Sequence, residues 1–286
     1  MGRALLFVAG AAVLAGLAGG PASPEARPAP AGEGWRALEA GLDLGEFSAP
    51  GVGAGGSGAP RITVLRIDPV RFRLVLANAS AMPDRRSRTA REWAAEKGLV
   101  AAVNASMYQA DRLTSVSLMK TGSHVNNARL SKDKAVLAFD PVTDGVPRVQ
   151  IIDRACQDFD ALRTRYRTLV QSIRMVDCER RNVWSRQPKK WSTAAVGIDA
   201  AGRVLFLFAR SPLPTRDFVD AILGLPIGLR NAMYVEGGPE AQLYVRAGDV
   251  EREMFGSFET GFFESDLNDR AWPVPNVIGV ARVGGE

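Results

Sequence analysis

Histidine occurs once in this chain of 286 residues, as His124, and cysteine twice, as Cys156 and Cys178. One histidine and two widely spaced cysteines cannot assemble a zinc centre from its usual ligands. The acids are scattered, so no calcium loop is spelled out and no cofactor is called for. There is no G-x-x-x-x-G-K-[ST] phosphate loop, no G-x-S-x-G elbow and no internal repeat. After Ala18, no apolar run is long enough to span a bilayer. Runs of Lys and Arg interleaved with aromatics are also missing, so no nucleic-acid module is expected. Arg163, Arg165, Arg167, Arg180 and Arg181 have the spacing of solvated faces.

What is present is ordinary globular composition, 46% hydrophobic and 23% charged. The net charge is +5 and the pI about 9.5. That balance favours acidic partners such as a phosphodiester, an anionic polysaccharide or an envelope surface.

Residues 1–22 read as a secretory signal, with Arg3, an apolar stretch from Ala4 to Ala18, and small residues after it. The alternative is an uncleaved anchor. Residues 23–34 are rich in Pro, Ala and Gly and read as a linker. Residues 35–286 form the remaining domain. A secreted or periplasmic location follows, with no stable membrane span once the signal is removed. In an oxidising compartment Cys156 and Cys178 can pair; otherwise they are two buried thiols.

Within the domain, strands are expected at Arg61–Ile67, Arg71–Leu76, Leu99–Asn104, Ala135–Phe139, Val149–Ile152, Val170–Val176, Thr193–Ile198, Val204–Phe208, Asn231–Glu236 and Val277–Val283. Thr89-Ala90-Arg91-Glu92 has the spacing of a capping box, and Gly98 stops the helix it opens. A short charged helix is expected over Asp158–Arg167, and an amphipathic one over Thr215–Leu223. Strands outnumber helices, and the helices come singly. The fold class is therefore α+β, a mixed β-sheet core in one compact domain.

One stretch stands out, Met233-Tyr234-Val235-Glu236-Gly237-Gly238-Pro239-Glu240-Ala241-Gln242-Leu243-Tyr244-Val245. It reads as strand, sharp turn, strand. Two glycines allow positive φ or a close approach to a ligand, and Pro239 stiffens the turn. Glu236 sits at the strand end, where a side chain can enter a cleft. The plain alternative is a solvent-exposed hairpin.

Val235-Glu236-Gly237-Gly238-Pro239 resembles the (L)-D-G-G-(G/P)-S signature of the phosphodiester glycosidase family. Val103-Asn104-Ala105-Ser106-Met107-Tyr108 is similar to that family's N-A-(G/S)-(M/F)-(F/Y). Gln171-Ser172-Ile173-Arg174 lies in the middle, and Thr193-Ala194-Ala195-Val196-Gly197-Ile198 resembles its (R)-T-A-x-G-(I/V). The ordered set covers the chain from about Trp35 to the C-terminus. Glu236 stands where most members have Asp, and Ser192 where many have Arg.

The resemblance implies hydrolysis of the bond between a sugar's anomeric carbon and a phosphate, with a glycan phosphodiester as partner. Such a reaction needs a carboxylate, cations and donors for the phosphate, and amides for the sugar. Glu236 is the leading carboxylate, with Asp111 and Glu240 behind it. Histidine side chains can give or take a proton near neutral pH, which makes His124 a candidate to serve the departing phosphate. Arg174 sits in an apolar strand, where it must meet an internal acid such as Glu236 or an anionic ligand. Asn104 is read as a ligand for sugar hydroxyls or water, or as an amide that satisfies a turn. Lys120, Asn126, Asn127, Thr193, Gly237 and Gly238 complete the expected binding set. Lys189 or Lys190 can supply the charge that Ser192 does not. The Glu236 and Ser192 departures leave a second reading open, a secreted module that binds anionic glycan without turnover.

Overall fold

The computed structural model describes residues 34–49, 59–122 and 124–284. The expected signal, all but Gly34 of the expected linker, and most of the glycine-rich loop after Ala49 lie outside these residues.

From Trp35 the chain forms β1 (Trp35–Glu39), β2 (Leu42–Ser48), β3 (Arg61–Ile67) and β4 (Phe72–Asn78). Helix α1 (Ala90–Lys97) follows, then β5 (Ala101–Asn104), β6 (Met119–Thr121), β7 (His124–Asn127), β8 (Ala135–Pro141) and β9 (Val149–Asp153). The short α2 (Phe159–Leu162) precedes β10 (Tyr166–Ser172), β11 (Arg174–Val176), β12 (Trp191–Asp199) and β13 (Val204–Leu213). Helix α3 (Thr215–Gly224) leads to β14 (Leu229–Gly237), β15 (Gln242–Ala247), β16 (Val250–Phe255) and β17 (Asn276–Arg282).

These strands make three sheets. The largest has the order β1-β2-β3-β13-β12-β14-β11. The other two run β7-β6-β10-β8-β9 and β16-β15-β5-β17-β4. Every pairing among the named strands is antiparallel. With three short helices beside them, the class is α+β.

Period-two alternation explains the layering. Along β12, Ala194, Val196 and Ile198 face a central core shared by all three sheets, which also holds Leu65, Leu76, Val103, Leu137, Phe206, Val235 and Leu243. The opposite face of the large sheet carries Ala195, Leu205, Leu207 and Tyr234, and α3 covers it with Phe218, Val219 and Ile222. Trp93 of α1 covers the β16–β4 sheet and donates its indole N–H to the Val274 carbonyl at 3.0 Å. Phe159 of α2 covers the β7–β9 sheet. Each sheet thus has one helix on its outer face. The capping box of α1 is formed: the Glu92 N–H donates to Thr89 Oγ1 at 3.2 Å and the Thr89 N–H to Glu92 Oε2 at 2.8 Å. Gly98 ends the helix at φ +61°.

Two expected elements differ. The Val170–Val176 strand is interrupted at Ile173, where the chain leaves one sheet for another: Gln171 pairs with β8, Arg174 with β14. Ser172 and Arg174 therefore do not share the face of one strand. Asp158–Arg167 is a four-residue helix and a 3-10 turn rather than one helix. Tyr166 already belongs to β10, held by a hydrogen bond to the Pro147 carbonyl at 2.8 Å. The Glu236–Gln242 turn is likewise not a hairpin. It carries the chain from the large sheet at β14 to a different sheet at β15.

Cys156 and Cys178 form a disulfide that joins the segment after β9 to the segment after β11. Among the described residues, no helix is long and apolar enough to cross a membrane.

Candidate active site

The sheet-to-sheet corner gathers the chemistry. At the end of β14 the pairing with β12 slips: Ala195 faces Tyr234, but Ala194 faces Glu236. A bulge of this kind bends the strand and re-aims its side chains. Gly237 follows in extended conformation, and Gly238 turns at φ +63°. A β-carbon on Gly237 would collide with the Tyr234 hydroxyl and the Trp191 ring, and one on Gly238 with the Glu259 side chain. The glycines are needed because three side chains crowd onto their α-carbons.

Three glutamates converge here from three places in the chain. Glu236 ends β14, Glu240 closes the 3-10 turn, and Glu259 comes from the loop after β16. None of the three forms a salt bridge among the described residues. Glu236 keeps a small opening to solvent, but its carboxyl is surrounded by protein. That burial, with Glu240 and Glu259 nearby, raises it from the ordinary carboxylate range to about 8. One hydrogen bond from the Gly237 N–H, at 3.1 Å, works against the shift. Burial also raises Glu240, again helped by Glu259, while Tyr108 and Arg112 oppose it. Glu259 is raised by burial and lowered by Lys189.

Aromatic groups frame the carboxyls. The Tyr108 hydroxyl lies 3.4 Å from Glu240 Oε1. Burial and the Glu240 and Glu236 carboxyls hold that phenol protonated well above its usual range, and the same groups with Glu259 do so for Tyr234. Trp184 packs on Tyr234 with ring centroids 5.5 Å apart. Trp191 Nε1 is buried without a hydrogen-bond partner beside Gly237. Carboxyls flanked by aromatic rings suit a sugar, whose apolar face stacks while its hydroxyls bond.

Asn104 lies under the corner. Its amide donates to the Glu240 carbonyl at 2.7 Å and accepts from the Gln242 N–H at 2.6 Å. It is 1% exposed, so both ends of the amide serve the turn. Arg174 does meet an internal acid, but that acid is Asp153 and not Glu236. Arg174 Nη1 donates to both Asp153 carboxylate oxygens, at 2.8 and 2.7 Å, with Asp153 buried. Sheet pairing explains the choice, because Arg174 faces Met233, three residues before Glu236.

His124 Nε2 is 2.9 Å from the Ser80 hydroxyl, which Asn126 also reaches at 2.8 Å. Asn126 and Asn127 donate to the Leu113 and Ser115 carbonyls. Together they hold the loop whose earlier residue Tyr108 reaches Glu240. Ser123 lies outside the described residues. Asp111 is exposed and closes its own loop through the Leu113 and Thr114 N–H groups and the Thr114 hydroxyl. These bonds hold its carboxyl below the usual range. Lys120 is half-buried on β6 opposite Leu169. Thr193 pairs with Gly237 through the backbone, and its hydroxyl donates to the Trp191 carbonyl at 3.4 Å. Among the described residues, Asp153, Cys156 and Cys178 approach closely enough for a cation. That set is spent on the ion pair and the disulfide. A groove of about 1120 Å³ opens between β13 and β16, lined by Arg210, Glu253 and Phe255, but the three site glutamates do not line it.

Sequence reading missed Glu259, Tyr234, Trp184 and Trp191. Gly256, whose β-carbon would collide with the Gly238 carbonyl and with Ser192, was the available sign that this loop touches the corner.

A β-sheet protein with a buried acid cluster at a glycine corner is a candidate hydrolase of glycosidic links. The phosphodiester glycosidase family model matches residues 97–281, and the chain belongs to that family. Among solved structures it is similar to the catalytic domain of zebrafish N-acetylglucosamine-1-phosphodiester alpha-N-acetylglucosaminidase, auto-inhibited by its pro-peptide. The TM-score is 0.62 at 10% identity, over 87% of this chain and 86% of that one. A Synechocystis protein is similar with a TM-score of 0.55 at 12% identity, over 84% of this chain and 62% of its own. At these identities the likeness is one of fold. No curated protein matches the chain.

Proposed function

We propose that this protein is an exported hydrolase that cleaves the link between a sugar's anomeric carbon and a phosphodiester, in an envelope or extracellular glycan. The observation that carries the reading is Glu236, a carboxyl raised to about 8 at the family's glycine corner. At neutral pH it is mostly protonated. A neutral acid can approach a phosphate without the repulsion a carboxylate would meet, and can give its proton as the bond to carbon breaks. Phosphate is a good leaving group, so a modest acid suffices. Arg112 and Lys189 offer positive charge near the cluster. Trp191 Nε1 offers an unspent donor. Trp184, partly exposed and packed on Tyr234, offers a stacking surface. The disulfide supports export, since such bonds persist in oxidising compartments.

A panel of sugar-1-phosphodiesters, assayed for released sugar, tests the reading. Turnover of at least one, lost in Glu236→Gln, is expected. Thermal stabilisation by panel members with no release from any of them would make the protein a glycan-binding module instead.

A further inference from the structure

We propose that Glu259 is the general base of this site, and that Ser192 is the positioning residue that holds it in place. The proposal rests on the glycosidase reading and names the group that activates water.

The loop carrying Glu259 is fixed from several directions. The buried Ser192 hydroxyl donates to the Arg210 carbonyl at 2.5 Å. It accepts the Ser257 N–H at 2.9 Å and the Phe258 N–H at 3.4 Å. The Ser192 N–H donates to the Phe258 carbonyl at 3.0 Å. Beyond Glu259, the Thr260 N–H donates to the Lys190 carbonyl at 3.1 Å, and Glu259 itself bridges Trp191 and Phe263. Glu259 is thus pinned by its backbone to the first residues of β12, whose next residue, Thr193, pairs with Gly237. Two glycines permit the contact: Gly256 lies against the Gly238 carbonyl, and Gly238 against the Glu259 side chain. The Ser192 hydroxyl is committed to Arg210, Ser257 and Phe258.

The arrangement separates the roles of the acids. Glu236 is shifted by burial and by the charges of Glu240 and Glu259, with no cation among the groups that shift it. Glu240 has its oxygen against the Tyr108 hydroxyl. Burial raises the Glu259 carboxyl, and Lys189, a cationic neighbour that Glu236 lacks, pulls it back down. The groups facing it are Glu236, Glu240, Tyr234 and Lys189. A second carboxyl held against the glycine turn that follows the acid is the arrangement that direct attack by water requires.

The step balances. The Glu259 carboxylate takes a proton from water, and the water oxygen forms a bond to the anomeric carbon. The bond from that carbon to the phosphate oxygen breaks, and its electron pair leaves with the oxygen. That oxygen takes the Glu236 proton. The products are a free sugar and a phosphate monoester. Solvent then exchanges one proton from Glu259 and one to Glu236.

The test compares wild type, Glu259→Gln, Glu259→Ala and Ser192→Ala on the best substrate of the panel. Glu259→Gln is expected to lower kcat about 10²–10⁴-fold and to abolish the acidic limb of the pH profile of kcat/KM. Sodium azide, an anionic nucleophile that needs no base, should restore sugar consumption to Glu259→Ala by forming a glycosyl azide. It should do nothing for Glu236→Gln. Ser192→Ala should keep the acidic limb but lose kcat. An active wild type with an equally active Glu259→Gln, or a Glu259→Ala variant that azide leaves unchanged, would overturn the assignment alone. A wild type that turns over no substrate would overturn the glycosidase reading and this assignment together.

Discussion

Glutamine at position 236 separates charge from shape. The folded protein holds the Glu236 proton up to about pH 8, whereas an unfolded glutamate releases it near 4.5. The stability this proton contributes is full below about 4.5 and is lost as pH rises through 8. Glutamine never ionises. The melting temperature of Glu236→Gln should therefore match that of wild type near pH 5 and exceed it increasingly towards pH 9. Scanning calorimetry of both proteins across that range checks the sign. If Glu236 is the acid, wild-type kcat/KM should also fall above about pH 8. Arg174 and Asp153 behave differently, because theirs is a buried pair away from the carboxyls. Asp153→Asn strands a guanidinium and should cost about 3–5 kcal/mol of stability. Activity per folded molecule should survive, which denaturant melts and turnover on one preparation will show.

At the scale of elements, the sharpest test is Gly238→Ala. The residue sits at φ +63° and a β-carbon would strike Glu259. A loss of about 1–3 kcal/mol is expected from the backbone strain alone. Turnover should fall too, because the displaced group is a proposed catalytic one. Urea melts and kcat on the purified variant measure both. Elements with a local signature were legible in the sequence. The Thr89–Glu92 capping box and the Thr193–Phe208 hairpin depend on neighbours along the chain. Elements that change sheets were not. Val170–Val176 reads as one apolar strand, and nothing local marks Ile173 as the point of departure. The same limit applied to the site. Glu236 and the two glycines carry a family signature, but Glu259 is brought in by backbone pairing with Trp191, far away in sequence. Arg174 needs a partner by any reading of its surroundings. That the partner is Asp153 follows only from how β9 and β11 come together.

At the largest scale, the described residues form three sheets that share a central core, tied on one side by the Cys156–Cys178 bridge. Reduction should cost about 2–5 kcal/mol. Thiol labelling of unfolded protein should find no free thiol before reductant and two after. The corner at Gly237–Gly238 has a further consequence at this scale. Glu236 rides on one sheet and Glu240 leads into another, where Asn104 is fastened to the Glu240 carbonyl and the Gln242 N–H. The candidate site is therefore a caliper whose two arms are sheets. A slip of one sheet against the other widens the gap between acids before either sheet melts. Activity should decay at lower urea than far-ultraviolet circular dichroism, and Asn104→Ala, which loosens the pivot, should spread the two transitions further apart.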